Sequence, residues 1–196
     1  MAHLVLIGGG ARSGKSGYAE RRAVTHVGER RFLATGVAFD DEMRARVTAH
    51  QRARGDAFVT VEVPVALEAA LDASHGAAVV VVDCLTLWLT NLLLAYLSDE
   101  AIEVRVEALV AAIARVPGEV LLVTNEVGMG IVPEHALARR FRDVAGRAHQ
   151  RLAREADELL LATLGVLVRL RPGPVSLVEE MHDAGHAARL TSSCES

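Results

Sequence analysis

The segment Gly9-Gly10-Ala11-Arg12-Ser13-Gly14-Lys15-Ser16 constrains this chain more than any other. It has the form G-x-x-x-x-G-K-S, follows the apolar run His3–Gly8 and opens a helical stretch over Gly14–Thr25. Glycines let the backbone curl so that successive N–H groups face inward. Those amides and the helix N-terminus form a phosphate-binding concavity. In such a loop Lys15 reaches the β- and γ-phosphates, and the Ser16 hydroxyl takes Mg²⁺. Lys15 is the only lysine among 21 Lys and Arg residues, so position 15 uses a compact ammonium where the chain otherwise chooses a guanidinium. Asp83 ends the run Val79-Val80-Val81-Val82. A carboxylate at the C-terminal end of a central strand lies beside the first loop, where it holds Mg²⁺ directly or through water.

Short β-rich runs alternate with helical patterns along the chain. Strands are expected over Arg31–Thr35, Phe58–Val61, Ala77–Asp83, Glu119–Thr124, Leu159–Thr163 and Val166–Leu170. Helices are expected over Asp41–Arg54, Pro64–Ala73, Leu85–Leu97, Glu100–Arg115 and Glu134–Glu155, with Pro64 in a first turn. This alternation implies crossover units. The fold class is α/β: a P-loop NTPase-like, RecA-like, mostly parallel sheet flanked by helices, closing in a C-terminal β-hairpin. Residues 1–170 form one nucleotide-binding catalytic domain. Residues 171–196 lose the pattern and read as a partly ordered tail. Its His182 and His186 lack the Glu of H-E-x-x-H, which argues against a metal site there.

Composition excludes several function classes. The chain has 196 residues, 51% hydrophobic and 23% charged, with a net charge of −4. No basic excess favours nucleic acid or anionic lipid. The apolar stretch Ala77–Leu97 is broken by Asp83, Thr86, Thr90 and Asn91, so no membrane span is expected. Cys84 and Cys194 form no disulfide framework, and with no signal-peptide pattern they suit a reducing cytoplasm. Asn125-Glu126-Val127-Gly128 replaces the N-K-x-D of a switch GTPase. Size then favours a small-molecule kinase or a nucleotidyl transferase.

The second informative segment is Asp40–Arg52. Asp40 or Asp41 caps its helix. Met43, Arg46, Val47 and His50 share one face, with Arg46 and His50 a turn apart. A neutral imidazole can attack phosphorus and hold the transferred group as a phosphoramidate, with an arginine stabilising the charge. Periodicity alone favours an ordinary surface or helix-end histidine, and a phosphate contact also stays open.

Four segments together resemble the bifunctional adenosylcobinamide kinase / adenosylcobinamide-phosphate guanylyltransferase family of cobalamin biosynthesis. They are Gly9–Ser16, Ala34–His50, Asp83–Leu93 (DCLTLWLTNLL) and Val123–Pro133 (VTNEVGMGIVP). The resemblance spans roughly residues 4–170. It implies phosphoryl transfer from ATP or GTP to the aminopropanol hydroxyl of adenosylcobinamide, then GMP transfer from GTP to the phosphorylated product. It implies His50 as the nucleophile that carries GMP. It also implies guanine-nucleotide contacts from Ala34, Thr35, Gly36, Gln51, Arg52, Ala53, Arg54 and Glu62, with Glu62 accepting from guanine N1–H and N2–H₂. The family is typically a homotrimer with sites between subunits. The Asn125–Pro133 loop, after a strand end, lines the nucleotide or the corrinoid site, and Leu85–Leu97 is core or interface. Two other readings stay open: a small-molecule kinase without nucleotidyl transfer, and a non-catalytic nucleotide-binding module.

Overall fold

The computed structural model describes residues 2–37 and 55–180. The elements are β1 (His3–Gly9), α1 (Lys15–Val24), β2 (Arg30–Ala34), β3 (Val59–Glu62), α2 (Leu67–Asp72), β4 (Val79–Asp83), α3 (Leu85–Leu94), α4 (Asp99–Arg115), β5 (Glu119–Val123), α5 (Ala136–Glu155), β6 (Glu158–Thr163), β7 (Val166–Arg171) and β8 (Ser176–Glu180). A 3₁₀ turn, Gly55–Ala57, precedes β3. The strands make one sheet in the order β3-β2-β4-β5-β1-β6-β7-β8. Pairing is parallel from β3 through β6 and antiparallel for β6–β7 and β7–β8. This is the mostly parallel α/β sheet with a terminal hairpin that the alternating pattern implies.

The apolar runs explain the layers. Strands buried on both faces need no polar alternation. In β4 and β5 successive residues therefore enter two different cores. Val80, Val82, Val120 and Leu122 face Leu67, Leu71, Trp88, Leu109 and Leu152 of the helices on one side. Val79, Val81, Leu121 and Val123 face Tyr18, Ala19 and Ala23 of α1, with Phe32 and Phe58, on the other.

Three boundaries differ from the sequence pattern by more than two residues, each for a local reason. First, α2 begins at Leu67, not in a turn containing Pro64. The carbonyls that would start that helix are taken by side chains of other elements. Pro64 O accepts from Asn91 Nδ2 at 2.8 Å, and Val65 O from Trp88 Nε1 at 2.9 Å. Second, α3 stops at Leu94, and Tyr96 takes a left-handed φ of 60° that ends helical hydrogen bonding. Ser98 then caps α4 by accepting from Ala101 N–H. Leu85, Trp88, Leu89 and Leu92 of α3 are buried in the core. Third, the sheet continues past Arg171: Ser176–Glu180 pairs with β7. The final residues, 181–196, lie outside the described residues.

Candidate functional site

The carboxyl ends of β1, β4, β5, β2 and β3 converge on one cavity of about 620 Å³. Its wall contains Ala11, Arg12, Ser13, Gly14, Lys15 and Ser16 from the β1–α1 loop, with Ala34 and Gly36 after β2, Glu62 from β3 and Asp83 from β4. Every one of these was singled out from the sequence.

The loop's shape follows from its glycines. Gly14 has φ 88°, a left-handed value costly for a side chain, and it places Lys15 at the first position of α1. Gly9 has φ 150°, and a Cβ there would run into the Ala162 carbonyl oxygen and lie 3.0 Å from Ser13 Oγ. Gly9 therefore lets the loop pack directly against β6. Gly9 O also accepts from Glu126 N–H at 3.0 Å, which ties the loop after β5 to the first loop.

Lys15 is 6% exposed, and its ammonium donates to Gly10 O at 2.6 Å and Ser13 Oγ at 3.3 Å. Burial pulls its pKa below the usual lysine value, while Cys84 and Asp83 nearby oppose the shift. A partly desolvated ammonium held by carbonyl and hydroxyl oxygens gains most from a polyanionic ligand. Ser16 Oγ donates to Asp83 Oδ1 at 3.1 Å, so two hard oxygen donors sit side by side at the head of α1.

Thr35 occupies a different place from its neighbours Ala34 and Gly36. It is fully buried, and its hydroxyl donates to Cys84 O at 2.7 Å and accepts from Cys84 N–H at 2.8 Å. Asn91 Nδ2 donates to Thr35 O and to Pro64 O, both at 2.8 Å. These bonds join the segments after β2, β3 and β4 behind the cavity wall. Thr35 thus sets the position of Asp83 and Glu62 from behind. Gly9 and Gly10 act through backbone packing and a carbonyl.

Asn125, the first residue of the loop expected to line the nucleotide or the corrinoid site, is on the cavity wall, which also contains residues that the sequence reading did not single out as nucleotide contacts: Gly17, Phe32, Cys84, Leu87 and Val123. Cys84 directly follows the end of β4, a positional signal that could have found it. Phe32 and Leu87 look like ordinary core residues in sequence. Asn125 Nδ2 donates to Thr86 Oγ1 at 3.1 Å, and Cys84 Sγ lies 2.8 Å from the same oxygen. Burial pushes the Cys84 thiol up, so it is a packed neutral group there. Arg46, His50, Gln51, Arg52, Ala53 and Arg54 lie outside the described residues.

Comparison with known proteins agrees with this geometry. The family model described as cobinamide kinase / cobinamide phosphate guanyltransferase matches residues 5–170. The chain is 41% identical over 181 residues to the bifunctional adenosylcobalamin biosynthesis protein CobU of Escherichia coli, covering 86% of this chain and 99% of that protein. It is 40% identical to the bifunctional adenosylcobalamin biosynthesis protein CobP of Pseudomonas aeruginosa, covering 87% and 98%. Among solved structures, the flagellar accessory protein FlaH of Methanocaldococcus jannaschii superposes with a TM-score of 0.50 at 15% identity, over 91% of this chain and 79% of FlaH, a likeness of fold. With a matching family model over most of its length and relatives at this identity, the chain belongs to the cobinamide kinase / cobinamide phosphate guanyltransferase family.

Proposed function

We propose that this chain carries out both reactions of its family at the cavity described above. The observation that carries the reading is the convergence of Lys15, Ser16, Asp83 and Glu62 on one wall, within a chain of that family. In the first reaction the aminopropanol hydroxyl of adenosylcobinamide attacks the γ-phosphorus of ATP or GTP. The bond from that phosphorus to the β–γ bridging oxygen breaks, and the nucleoside diphosphate leaves. Lys15 and the amides of Ala11–Ser16 hold the phosphate oxygens. Mg²⁺, when bound, neutralises phosphate charge, and Ser16 and Asp83 offer the oxygens for it.

In the second reaction an imidazole nitrogen of His50 attacks the α-phosphorus of GTP, and pyrophosphate leaves. A phosphate oxygen of adenosylcobinamide phosphate then displaces the imidazole, giving adenosylcobinamide-GDP and free His50. Arg46 and the segment Gln51–Arg54 belong to this nucleotide site in the same reading, together with Ala34 and Gly36. Glu62 accepts from the guanine edge, which gives guanine selectivity without N-K-x-D. The assembly is a homotrimer and the compartment the cytoplasm. The free, buried thiol of Cys84 is compatible with reducing surroundings.

The test uses GTP labelled at the α-phosphate, Mg²⁺ and no acceptor. After denaturation, label stable to base and released by acid marks a phosphoramidate. Label on the wild type and none on His50→Ala is the expected result. Nucleotide-binding wild type without label would remove the guanylyl transfer and leave the simple kinase.

A further inference from the structure

The loop between β5 and α5 spends hydrogen bonds to hold apolar side chains out in solvent. Residues Gly128-Met129-Gly130-Ile131-Val132-Pro133 carry no charge. Met129 is 81% exposed, Ile131 96% and Val132 66%. Yet the loop is braced from beneath. Gly128 N–H donates to Glu126 Oε1 at 2.6 Å. The Arg142 guanidinium donates to Ile131 O at 3.1 Å and Gly128 O at 2.7 Å. Arg139 donates to Pro133 O at 3.0 Å. The carbonyls of Gly128, Ile131 and Pro133 are thus satisfied by α5, while the side chains of Met129, Ile131 and Val132 are exposed.

A solvated connection is ordinarily polar at its tip, and contiguous apolar exposure marks a surface that meets a ligand or another macromolecule. The location says which ligand. Asn125 is on the cavity wall, and Met129 follows four residues later, within about 14 Å of chain. Glu126 N–H is bonded to Gly9 O, so the platform and the phosphate loop hold a fixed relation. An acceptor whose hydroxyl reaches the phosphates must leave its bulk at the cavity mouth. A cobinamide is a large macrocycle that carries methyl groups between its amide arms, and these methyls suit thioether and branched aliphatic side chains.

Building on the function proposed above, we propose that Met129, Ile131 and Val132 form the platform on which the corrinoid ring of the acceptor rests in both reactions. Their contribution is to acceptor binding and not to nucleotide chemistry.

The double variant M129S/I131S tests this. Both side chains are exposed, so the fold and its melting temperature are retained. Three quantities are compared with wild type: label from α-labelled GTP without acceptor, and the KM and kcat for adenosylcobinamide in phosphoryl transfer and for adenosylcobinamide phosphate in GMP transfer. The expected result is unchanged label, with both acceptor KM values raised roughly tenfold or more and kcat at saturation nearly unchanged. Unchanged acceptor KM overturns the platform. A fall in assembly mass by light scattering, with acceptor KM normal once high protein concentration restores the assembly, also overturns it and assigns the patch to a second copy of the chain. Wild type without label sinks the guanylyl-transfer reading, and the phosphoryl-transfer KM still decides the platform.

Discussion

Position 15 shows how much one side chain can carry. Twenty-one basic residues include one lysine, and it is buried against Gly10 O and Ser13 Oγ. A guanidinium is larger and planar, and does not fit a nest built for a point donor. Lys15→Arg should therefore lower affinity for GTP at least tenfold by calorimetric titration, a loss on the order of 1.4 kcal/mol or more. Thr35 makes a different kind of contribution. Thr35→Val removes a hydroxyl that both donates to and accepts from Cys84. Cys84 O still accepts from the N–H groups of Leu87 and Trp88, but the Cys84 N–H is stranded, at a cost of about 1–3 kcal/mol. Thermal unfolding should show a lower midpoint, and the KM for nucleotide should rise because Asp83, the next residue back, loses its anchor. The sequence marked Thr35 only as one of three consecutive nucleotide contacts. Its burial behind the wall depends on Cys84 and Asn91, which are remote in sequence and were not read as its partners.

Among the elements, the opposite end of the sheet holds an ion-paired knot. Arg22 of α1 bonds Glu119 of β5 and Glu158 of β6, both at 2.6 Å. His3 of β1 lies 3.0 Å from Glu158, and His26 lies 3.0 Å from Glu119. Hydrogen bonds from Arg22, working against burial, hold the Glu158 carboxyl at about 2, below its ordinary 4.5. A depressed acid contributes stability that is complete above pH 4.5 and is lost as pH falls toward 2. Urea midpoints measured between these limits should fall steadily for the wild type and less for Glu158→Gln, which has no carboxylate to protonate. His149 of α5 adds an earlier step. Burial lowers its pKa below 6.5, with Glu126 opposing, and its Nε2 lies 2.7 Å from Thr124 Oγ1. Its contribution is complete above pH 6.5 and declines as pH falls through its lowered pKa, so His149→Gln should remove that first acid loss. The Arg22 knot was not visible in the sequence, because it joins strands that only the sheet order brings together.

Across the whole molecule, the site and the C-terminal strands are separated by sheet order. β4, β5 and β1 carry the cavity, whereas β8 stands three places beyond β1 at the far edge. Ending the chain after residue 175 removes β8 and the Arg21–Glu179 pair. Melting temperature should fall, while nucleotide affinity stays within about twofold, because an edge strand opens without unfolding the central ones. The sequence by itself determined the α/β class, the parallel core strands, the phosphate loop and its Asp83 partner. Those features are local: strand runs buried on both faces, glycine spacing, and a carboxylate at a strand end each announce themselves within a few residues. The family was equally legible, since its motifs are contiguous segments. The tertiary structure decided that Glu62 shares a wall with Lys15, that Thr35 works from behind that wall, and that a loop braced by α5 exposes Met129 and Ile131. It also decided that Pro64 stays outside α2 and that the sheet runs on through Ser176–Glu180. Thr35 and Pro64 depend on a carbonyl or an amide finding a partner far away in the chain, and no local pattern records that partner's address, whereas β8 pairs with the strand just before it across a Pro-Gly-Pro turn that masks the strand signal.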